Sequence, residues 1–159
     1  MKYITENIKD IEKIAKIFID KLYVKQPARP LGGDLTQVKQ ATIVTLSGDL
    51  GAGKTTFVQS VAKILKIQKK VVSPTFVLMK RYPIGKTYVW ENLYHIDAYR
   101  LEGKDIKKEL QLLKFQDILN NPKNIIFIEW PEILGKNLPK KVLKIKIKHN
   151  GDNSRIFDF

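Results

Sequence analysis

One glycine-rich segment has the residue types and spacing needed to hold a phosphate group. It reads GDLGAGKTT, so Gly48 and Gly53 are separated by four residues and followed by Lys54 and Thr55. Glycines let backbone N–H groups approach phosphate oxygens without a Cβ in the way, and the start of the following helix adds positive potential. In this pattern the lysine reaches the β- and γ-phosphates and the hydroxyl ligates Mg²⁺. The sequence therefore predicts a P-loop. The residues expected to contact a nucleotide are Gly48, Asp49, Leu50, Gly51, Ala52, Gly53, Lys54, Thr55 and Thr56.

An acidic residue directly follows a later apolar run. The segment NIIFI over 124–128 is typical of a strand buried on both faces, and Glu129 comes next. A P-loop site that uses Mg²⁺ needs an acidic partner at the end of a neighbouring strand. A carboxylate there would be desolvated unless it met a cation. Glu129 is therefore the predicted second metal ligand beside Thr55, with Glu132 as a weaker alternative.

The segment HIDAYRL, over 95–101, carries three more polar residues. Asp97 could deprotonate or orient a water, or hold Mg²⁺ through water, and Arg100 could stabilise charge on a transferring phosphoryl group. Structural roles compete with these. Asp97 could cap a helix or pair with Arg100, and His95 could be a hydrogen-bonded, half-buried residue. Asp97 and Lys54 are the predicted catalytic residues.

Two other features are candidates for switch or partner contacts. In SPTF, the hydroxyls of Ser73 and Thr75 could contact a γ-phosphate or Mg²⁺, although a turn at the start of a strand explains the segment equally well. Trp130 could stack on a base or a partner, and its alternative is ordinary packing.

The elements that must position these residues follow from hydrophobic spacing. Apolar residues at three- and four-residue steps predict helices, and short apolar or alternating runs predict strands. The predicted helices cover 8–22, 55–67 and 105–119, and the predicted strands cover 41–46, 75–81, 87–94, 124–128 and 142–148. We expect one P-loop NTPase-like domain over 1–159, a three-layer α/β fold with a central mixed, mostly parallel sheet. The segment 23–40 holds two prolines and two glycines and is expected to be an irregular insertion, which could be mobile.

The charge balance suits an anionic partner without identifying one. The chain has 29 Lys and Arg against 16 Asp and Glu, a net charge of +13. A nucleotide, RNA or a membrane surface would fit, but the lysines are scattered and also suit a solvated surface. The absence of cysteine excludes disulfides and thiolate metal sites. No segment resembles a signal peptide or a membrane span, so we expect a cytoplasmic protein.

Four motifs in this order resemble the TsaE family of bacterial P-loop ATPases. The family pattern is GDLGAGKTT, then SPT with an aromatic residue, then H-x-D-x-YRL, then EW(P). Here these segments are 48–56, 73–76, 95–101 and 129–131, and the likeness spans about 41–135.

The resemblance implies a function that spacing alone does not give. The family assists biosynthesis of threonylcarbamoyladenosine in tRNA together with the proteins TsaB and TsaD. It binds and slowly hydrolyses ATP with Mg²⁺, and we expect hydrolysis to require the assembled partners. By the resemblance, Lys54 holds phosphates, Thr55 and Glu129 ligate Mg²⁺, and Asp97 activates water.

Three departures from the family pattern are visible. Ile11 stands where relatives often carry a threonine implicated near the nucleotide base. The stretch 23–40 is longer than the usual link into the P-loop strand. Lys114 replaces a glycine in the helix after HIDAYRL, and we expect it to extend that helix.

Two other functions stay open. A P-loop small-molecule kinase usually grips phosphates with several arginines, whereas this chain has four in total: Arg29, Arg81, Arg100 and Arg155. A binding module in which ATP shapes a partner surface without being hydrolysed would carry the same motifs. A GTPase is disfavoured because no segment resembles the N-K-x-D motif that reads guanine. Direct contact with tRNA also stays open.

Overall fold

The computed structural model describes residues 1–24, 40–74, 77–85 and 88–159. Seven strands in this part of the chain form one sheet: β1 (Lys2–Thr5), β2 (Thr42–Ser47), β3 (Met79–Pro83), β4 (Asn92–Asp97), β5 (Asn124–Glu129), β6 (Leu143–His149) and β7 (Arg155–Asp158). The α-helices are α1 (Ile8–Val24), α2 (Lys54–Ile64), α3 (Ile106–Leu112), α4 (Phe115–Leu119) and α5 (Pro131–Leu134). Short 3₁₀ turns cover Ala98–Leu101 and Gly135–Asn137.

The sheet is mixed, and its parallel strands lie at the centre. The strand order is β1-β7-β6-β2-β5-β4-β3. β2 pairs in parallel with β5 and β6, and β5 pairs in parallel with β4. The outer pairs β3–β4, β6–β7 and β1–β7 are antiparallel. The predicted mixed α/β sheet is confirmed, with parallel pairing confined to β2, β4, β5 and β6, which is half of the strand pairs rather than most of them.

Helices cover both faces of this sheet, which confirms the predicted three layers. On one face α1 and α2 pack over a core that includes Phe18, Phe57 and Phe127. On the other, the helices after β4 enclose a second core, to which Ile43 and Ile128 belong. The strand β5 supplies residues to both cores, as its continuous apolar run predicts. No helix in the described part of the chain is long and apolar enough to cross a membrane.

Two predicted strands lie further along the chain than expected. The predicted strands over 75–81 and 87–94 each overlap one strand of an antiparallel pair. The observed strands, β3 and β4, begin later, at Met79 and Asn92. β4 extends through His95 to Asp97 because it pairs in parallel with β5 along its whole length. That neighbour is remote in sequence, so the local pattern did not show it.

The prediction of one continuous helix over 105–119, extended by Lys114, was wrong. α3 ends at Leu112 and α4 begins at Phe115, and Lys114 between them has a left-handed backbone with φ of 50°. The break turns the chain so that Leu110 and Phe115 both enter the second core. Lys114 thus adopts the conformation that glycine adopts at least cost.

Local patterns also missed two short strands. β1 and β7 have four residues each and pair with one another at the edge of the sheet. Short, partly exposed strands give little periodic signal, and this pairing joins opposite ends of the chain. Most of the insertion predicted over 23–40 lies outside the described residues, although α1 extends to Val24.

Candidate functional site

The predicted P-loop connects the central strand β2 to the start of α2, as the motif requires. Gly53 precedes the helix with φ of 102°, a backbone conformation that favours glycine. Gly48, at φ of 147°, lies so close to β6 that a Cβ there would be 2.2 Å from the carbonyl oxygen of Ile147. Gly53 is therefore needed for its backbone conformation, and Gly48 is needed because a side chain there would clash with β6.

Lys54 is buried at the first position of α2. Its Nζ donates hydrogen bonds to the carbonyl oxygens of Gly48, at 2.7 Å, and Asp49, at 2.8 Å. It also lies 3.9 Å from the centre of the Trp130 ring, a cation–π distance. Burial lowers the pKa of Lys54, and nearby carboxylates, led by Glu129, oppose that effect. The ammonium is therefore held against two carbonyl oxygens of the glycine loop.

Glu129 is the last residue of β5, and its side chain contacts two other predicted site residues. Its Oε1 accepts a hydrogen bond of 2.8 Å from Thr55 Oγ1 and lies 2.7 Å from Nε2 of His95. The side chain of Glu129 is only 5% exposed, and that of His95 is fully buried. Because a carboxylate oxygen accepts, Nε2 of His95 donates in this contact, and Nδ1 has no hydrogen-bond partner within the described structure. Thr55 and His95 together fix one oxygen of this carboxylate.

Glu132, the alternative metal ligand, occupies a different environment. It lies in α5 and is exposed, whereas Glu129 is buried against the P-loop helix through Thr55. The structure therefore brings Glu129, rather than Glu132, into contact with Thr55.

Asp97 lies on the strand beside Glu129. The two residues are register partners at the ends of β4 and β5. Burial, reinforced by the charge of Glu129, raises the pKa of Asp97 above its usual range, while Arg100 and a hydrogen bond from the Tyr99 backbone act in the opposite direction. That hydrogen bond, from Tyr99 N to Asp97 Oδ1, is 3.2 Å long and caps the following 3₁₀ turn. The structural alternative for Asp97, capping a helical turn, is therefore confirmed, and its catalytic role stays a prediction.

The side-chain oxygen atoms beside the P-loop are chemically suited to ligate Mg²⁺. Thr55 Oγ1 and Glu129 Oε1 are adjacent oxygen atoms of the type Mg²⁺ prefers. The described residues include no group of three or more His, Asp or Glu side chains arranged to hold a metal ion. Mg²⁺ commonly uses one or two protein ligands and completes its shell with water and phosphate oxygens, so two donors are enough for a nucleotide-bound ion.

Of the remaining candidate residues in the described part of the chain, Trp130 lies at the site through its contact with Lys54. Trp130 follows Glu129 with φ of 56°, donates its backbone N–H to Leu46 at 3.3 Å, and packs its ring 5.4 Å from that of Tyr99. Arg100 is exposed, and Ser73 is half-buried with its carbonyl accepting from Lys80 Nζ at 3.3 Å. Thr75 lies outside the described residues.

A cavity of about 770 Å³ opens beside the loop and was missed by the sequence analysis. Ile11 lies on its wall, buried, and its Cδ1 would be 3.8 Å from a Cβ built on Gly53. Residues of the β1–α1 connection and of the β6–β7 turn, including Asn7 and Asn153, complete the lining. No local sequence signal marked Asn7 or Asn153, because the pairing of β1 with β7 is what brings them to the cavity.

The strand, glycine loop and helix, set in a three-layer α/β fold, define a P-loop NTPase-like domain. A family model described as "Threonylcarbamoyl adenosine biosynthesis protein TsaE" matches residues 23–157. The chain belongs to the TsaE family, which is involved in tRNA threonylcarbamoyladenosine biosynthesis.

Individual relatives agree with this assignment. The tRNA threonylcarbamoyladenosine biosynthesis protein TsaE of Bacillus subtilis is 39% identical over 121 residues, which cover 76% of this chain and 70% of that protein. The protein of the same name from a Nostoc species is 35% identical over 146 residues, 91% of this chain and 85% of the relative. The crystal structure of YdiB from Bacillus subtilis superposes with a TM-score of 0.66 at 29% identity, covering 99% of this chain and 82% of that one.

Proposed function

We propose that this protein binds ATP with Mg²⁺ and hydrolyses it slowly in support of threonylcarbamoyladenosine modification of tRNA, together with TsaB and TsaD. The observation that carries the proposal is the meeting of Thr55 and Glu129, 2.8 Å apart, beside the Lys54 ammonium at the end of the glycine loop. These are the cation, hydroxyl and carboxylate that P-loop NTPases use around a magnesium nucleotide.

Each residue has a distinct role in this proposal. The loop N–H groups and Lys54 hold the phosphates, and Lys54 leaves the carbonyls of Gly48 and Asp49 to do so. Thr55 and Glu129 ligate Mg²⁺, which when bound draws charge from the phosphate oxygens. His95 is a positioning residue, since it touches Glu129 and lies too deep to meet the nucleotide.

Asp97 is the proposed base that orients or deprotonates the attacking water. Its environment supports this role, because the raised pKa makes the carboxylate a better proton acceptor than an exposed aspartate. Its position next to Glu129 keeps it close to the metal ligands without being one of the oxygens that Thr55 contacts.

The test is ATP turnover by the wild-type chain, alone and with TsaB and TsaD, compared with two matched variants. Asp97 and Asp105 both cap a helical turn through Oδ1, but only Asp97 adjoins Glu129. We expect Asp97→Asn to lower turnover by about 100-fold or more while ATP affinity is kept, and Asp105→Asn to have little effect.

Three results would contradict the proposal. Equal turnover in both variants would remove Asp97 from the chemistry. ATP binding with no turnover under any condition would favour the non-hydrolysing module. Full turnover by the isolated chain, unchanged by TsaB and TsaD, would remove the dependence on partners.

A further inference from the structure

One face of the sheet half formed by β6, β7 and β1 carries a row of lysines. Along β6 the residues alternate: Ile145 and Ile147 are fully buried in the core under α1 and α2, while Lys144, Lys146 and Lys148 are exposed on the opposite face. Alternate residues of a strand lie roughly 6.6 Å apart, so the three ammonium groups extend from one rigid element at regular intervals.

The neighbouring strands add one lysine, one aspartate and two isoleucines at the register positions of this row. Through the register of β6 with β7 and of β7 with β1, Lys2 lies in line with Lys146, and Ile4 and Ile156 lie in line with Lys148. Ile4 is 65% exposed. We call Lys2, Ile4, Lys144, Lys146, Lys148 and Ile156 the lysine face.

Asp158 is the acid that shares this register, and it already has a cationic partner. Its Oδ1 lies 3.2 Å from the N-terminal ammonium of Met1. None of the ion pairs within the described residues involves the lysines of β6. Within the described residues the ammonium groups of Lys144, Lys146 and Lys148 therefore have no carboxylate partner, and they are exposed to an anionic partner.

One ordinary explanation fits this row poorly. Lysines protect the open edge of a sheet from pairing, but β6 lies between β2 and β7 and has no open edge. Val142, just before β6, packs against the second core, whereas Lys144, Lys146 and Lys148 after it are exposed. The row passes beside the P-loop, because Ser47, the residue before Gly48, is the register partner of Lys146.

We propose that the lysine face binds the sugar–phosphate backbone of RNA, namely the tRNA that the family's pathway modifies. The net charge of +13 and the evenly spaced ammonium groups complement a polyanion. Lysine is depleted from protein–protein interfaces, which disfavours a protein partner. The apolar residues on this face, exposed Ile4 and half-buried Ile156, are not aromatic, so the contact holds phosphates without stacking bases. This inference rests on the family's role in tRNA modification and is independent of ATP hydrolysis.

The experiment measures binding of a labelled, unmodified tRNA transcript by fluorescence anisotropy, without nucleotide, from about 50 to about 200 mM salt. The test variant is Lys144→Glu/Lys146→Glu/Lys148→Glu. The control, Lys104→Glu/Lys107→Glu/Lys108→Glu, changes the net charge equally at exposed positions around the start of α3. Circular dichroism checks folding, and a triple Lys→Gln variant of the β6 residues replaces the test variant if charge reversal unfolds the chain.

We expect the test variant to weaken tRNA binding at least about tenfold and to reduce the slope of log K against log salt by roughly two to three, since each phosphate contact contributes about 0.7 to 0.9. The control should keep most of its affinity and slope. Equal losses in both variants would overturn the proposal, because binding would then follow net charge alone. Equal competition by polyglutamate or by anionic lipid vesicles would overturn it in favour of a less specific polyanion or a membrane. The ATP turnover assay is separate, so failure of either proposal is recognised without the other.

Discussion

Nε2 of His95 lies 2.7 Å from Oε1 of Glu129, and the same oxygen accepts a hydrogen bond of 2.8 Å from Thr55. The imidazole is fully buried, and its Nδ1 has no hydrogen-bond partner within the described structure. Through its contact with Glu129 the histidine orients the carboxylate of the proposed metal ligand.

His95→Ala should therefore weaken the dependence on Mg²⁺ more than the binding of the nucleotide. Partners that orient a metal ligand typically contribute 10- to 100-fold in metal affinity or activity, and we expect the Mg²⁺ concentration for half-maximal turnover to rise by about that factor. ATP affinity without Mg²⁺ should stay unchanged. His95→Gln, which keeps an N–H donor, should recover much of the loss. A defect that Gln does not rescue, with Mg²⁺ dependence unaltered, would indicate a packing role.

Asp97→Asn should stabilise the fold at neutral pH while it lowers turnover. The folded-state pKa of Asp97 is raised above 3.8 by burial and by Glu129, so its contribution to stability is present at pH values below 3.8 and is lost as pH rises through the folded pKa. The difference in unfolding free energy between the variant and the wild type should accordingly grow from about pH 3 to pH 7. Urea unfolding across this range measures it. A difference that is flat with pH, or that shrinks as pH rises, would contradict the raised pKa.

Lys114→Gly should stabilise the protein by up to about 1 kcal/mol. A non-glycine residue at positive φ costs roughly 1 to 2 kcal/mol, and Lys114 has φ of 50° between α3 and α4. The greater freedom of glycine in the unfolded chain offsets part of that gain. Urea denaturation provides the measurement. A variant destabilised by about 1 kcal/mol, as expected for glycine inside a continuous helix, would contradict the break between α3 and α4 at Lys114.

The fluorescence of Trp130 should report nucleotide binding. Lys54 Nζ lies 3.9 Å from its ring centre, so a phosphate that attracts the ammonium changes the environment of the indole. The second tryptophan, Trp90, is buried and donates to Thr42 at 3.0 Å, which makes it a constant background. ATP should therefore change the emission of the wild type and of Trp90→Phe, but not of Trp130→Phe. An unchanged response in Trp130→Phe would show that the signal arises elsewhere.

Much of the candidate site was predictable because its residues belong to local sequence patterns. The strand, glycine loop and helix around Lys54 are consecutive in sequence, and Glu129 directly follows an apolar run typical of a buried strand. Parallel strands place such ends at one edge of the sheet, which is why Thr55 and Glu129 could be assigned together.

The rest depended on contacts between distant segments. Neither the partner of His95 nor the extent of β4 was visible before the register of β4 with β5 was known. The pairing of β1 with β7, which brings Asn7 and Asn153 to the cavity, joins opposite ends of the chain. At Lys114 a tertiary preference for two short helices prevailed over the local helical pattern.

Calorimetric titration of ATP, with and without Mg²⁺, into the wild type, Glu129→Gln and Glu132→Gln tests the central claim most directly. Glu129 is buried against Thr55 whereas Glu132 is exposed, so the two variants remove the same charge from different places. The account predicts that Mg²⁺ strengthens ATP binding to the wild type and to Glu132→Gln, and that Glu129→Gln loses most of this gain while still binding ATP without metal. Mg²⁺-dependent binding that Glu129→Gln leaves intact, or a wild-type chain that does not bind ATP, would contradict it.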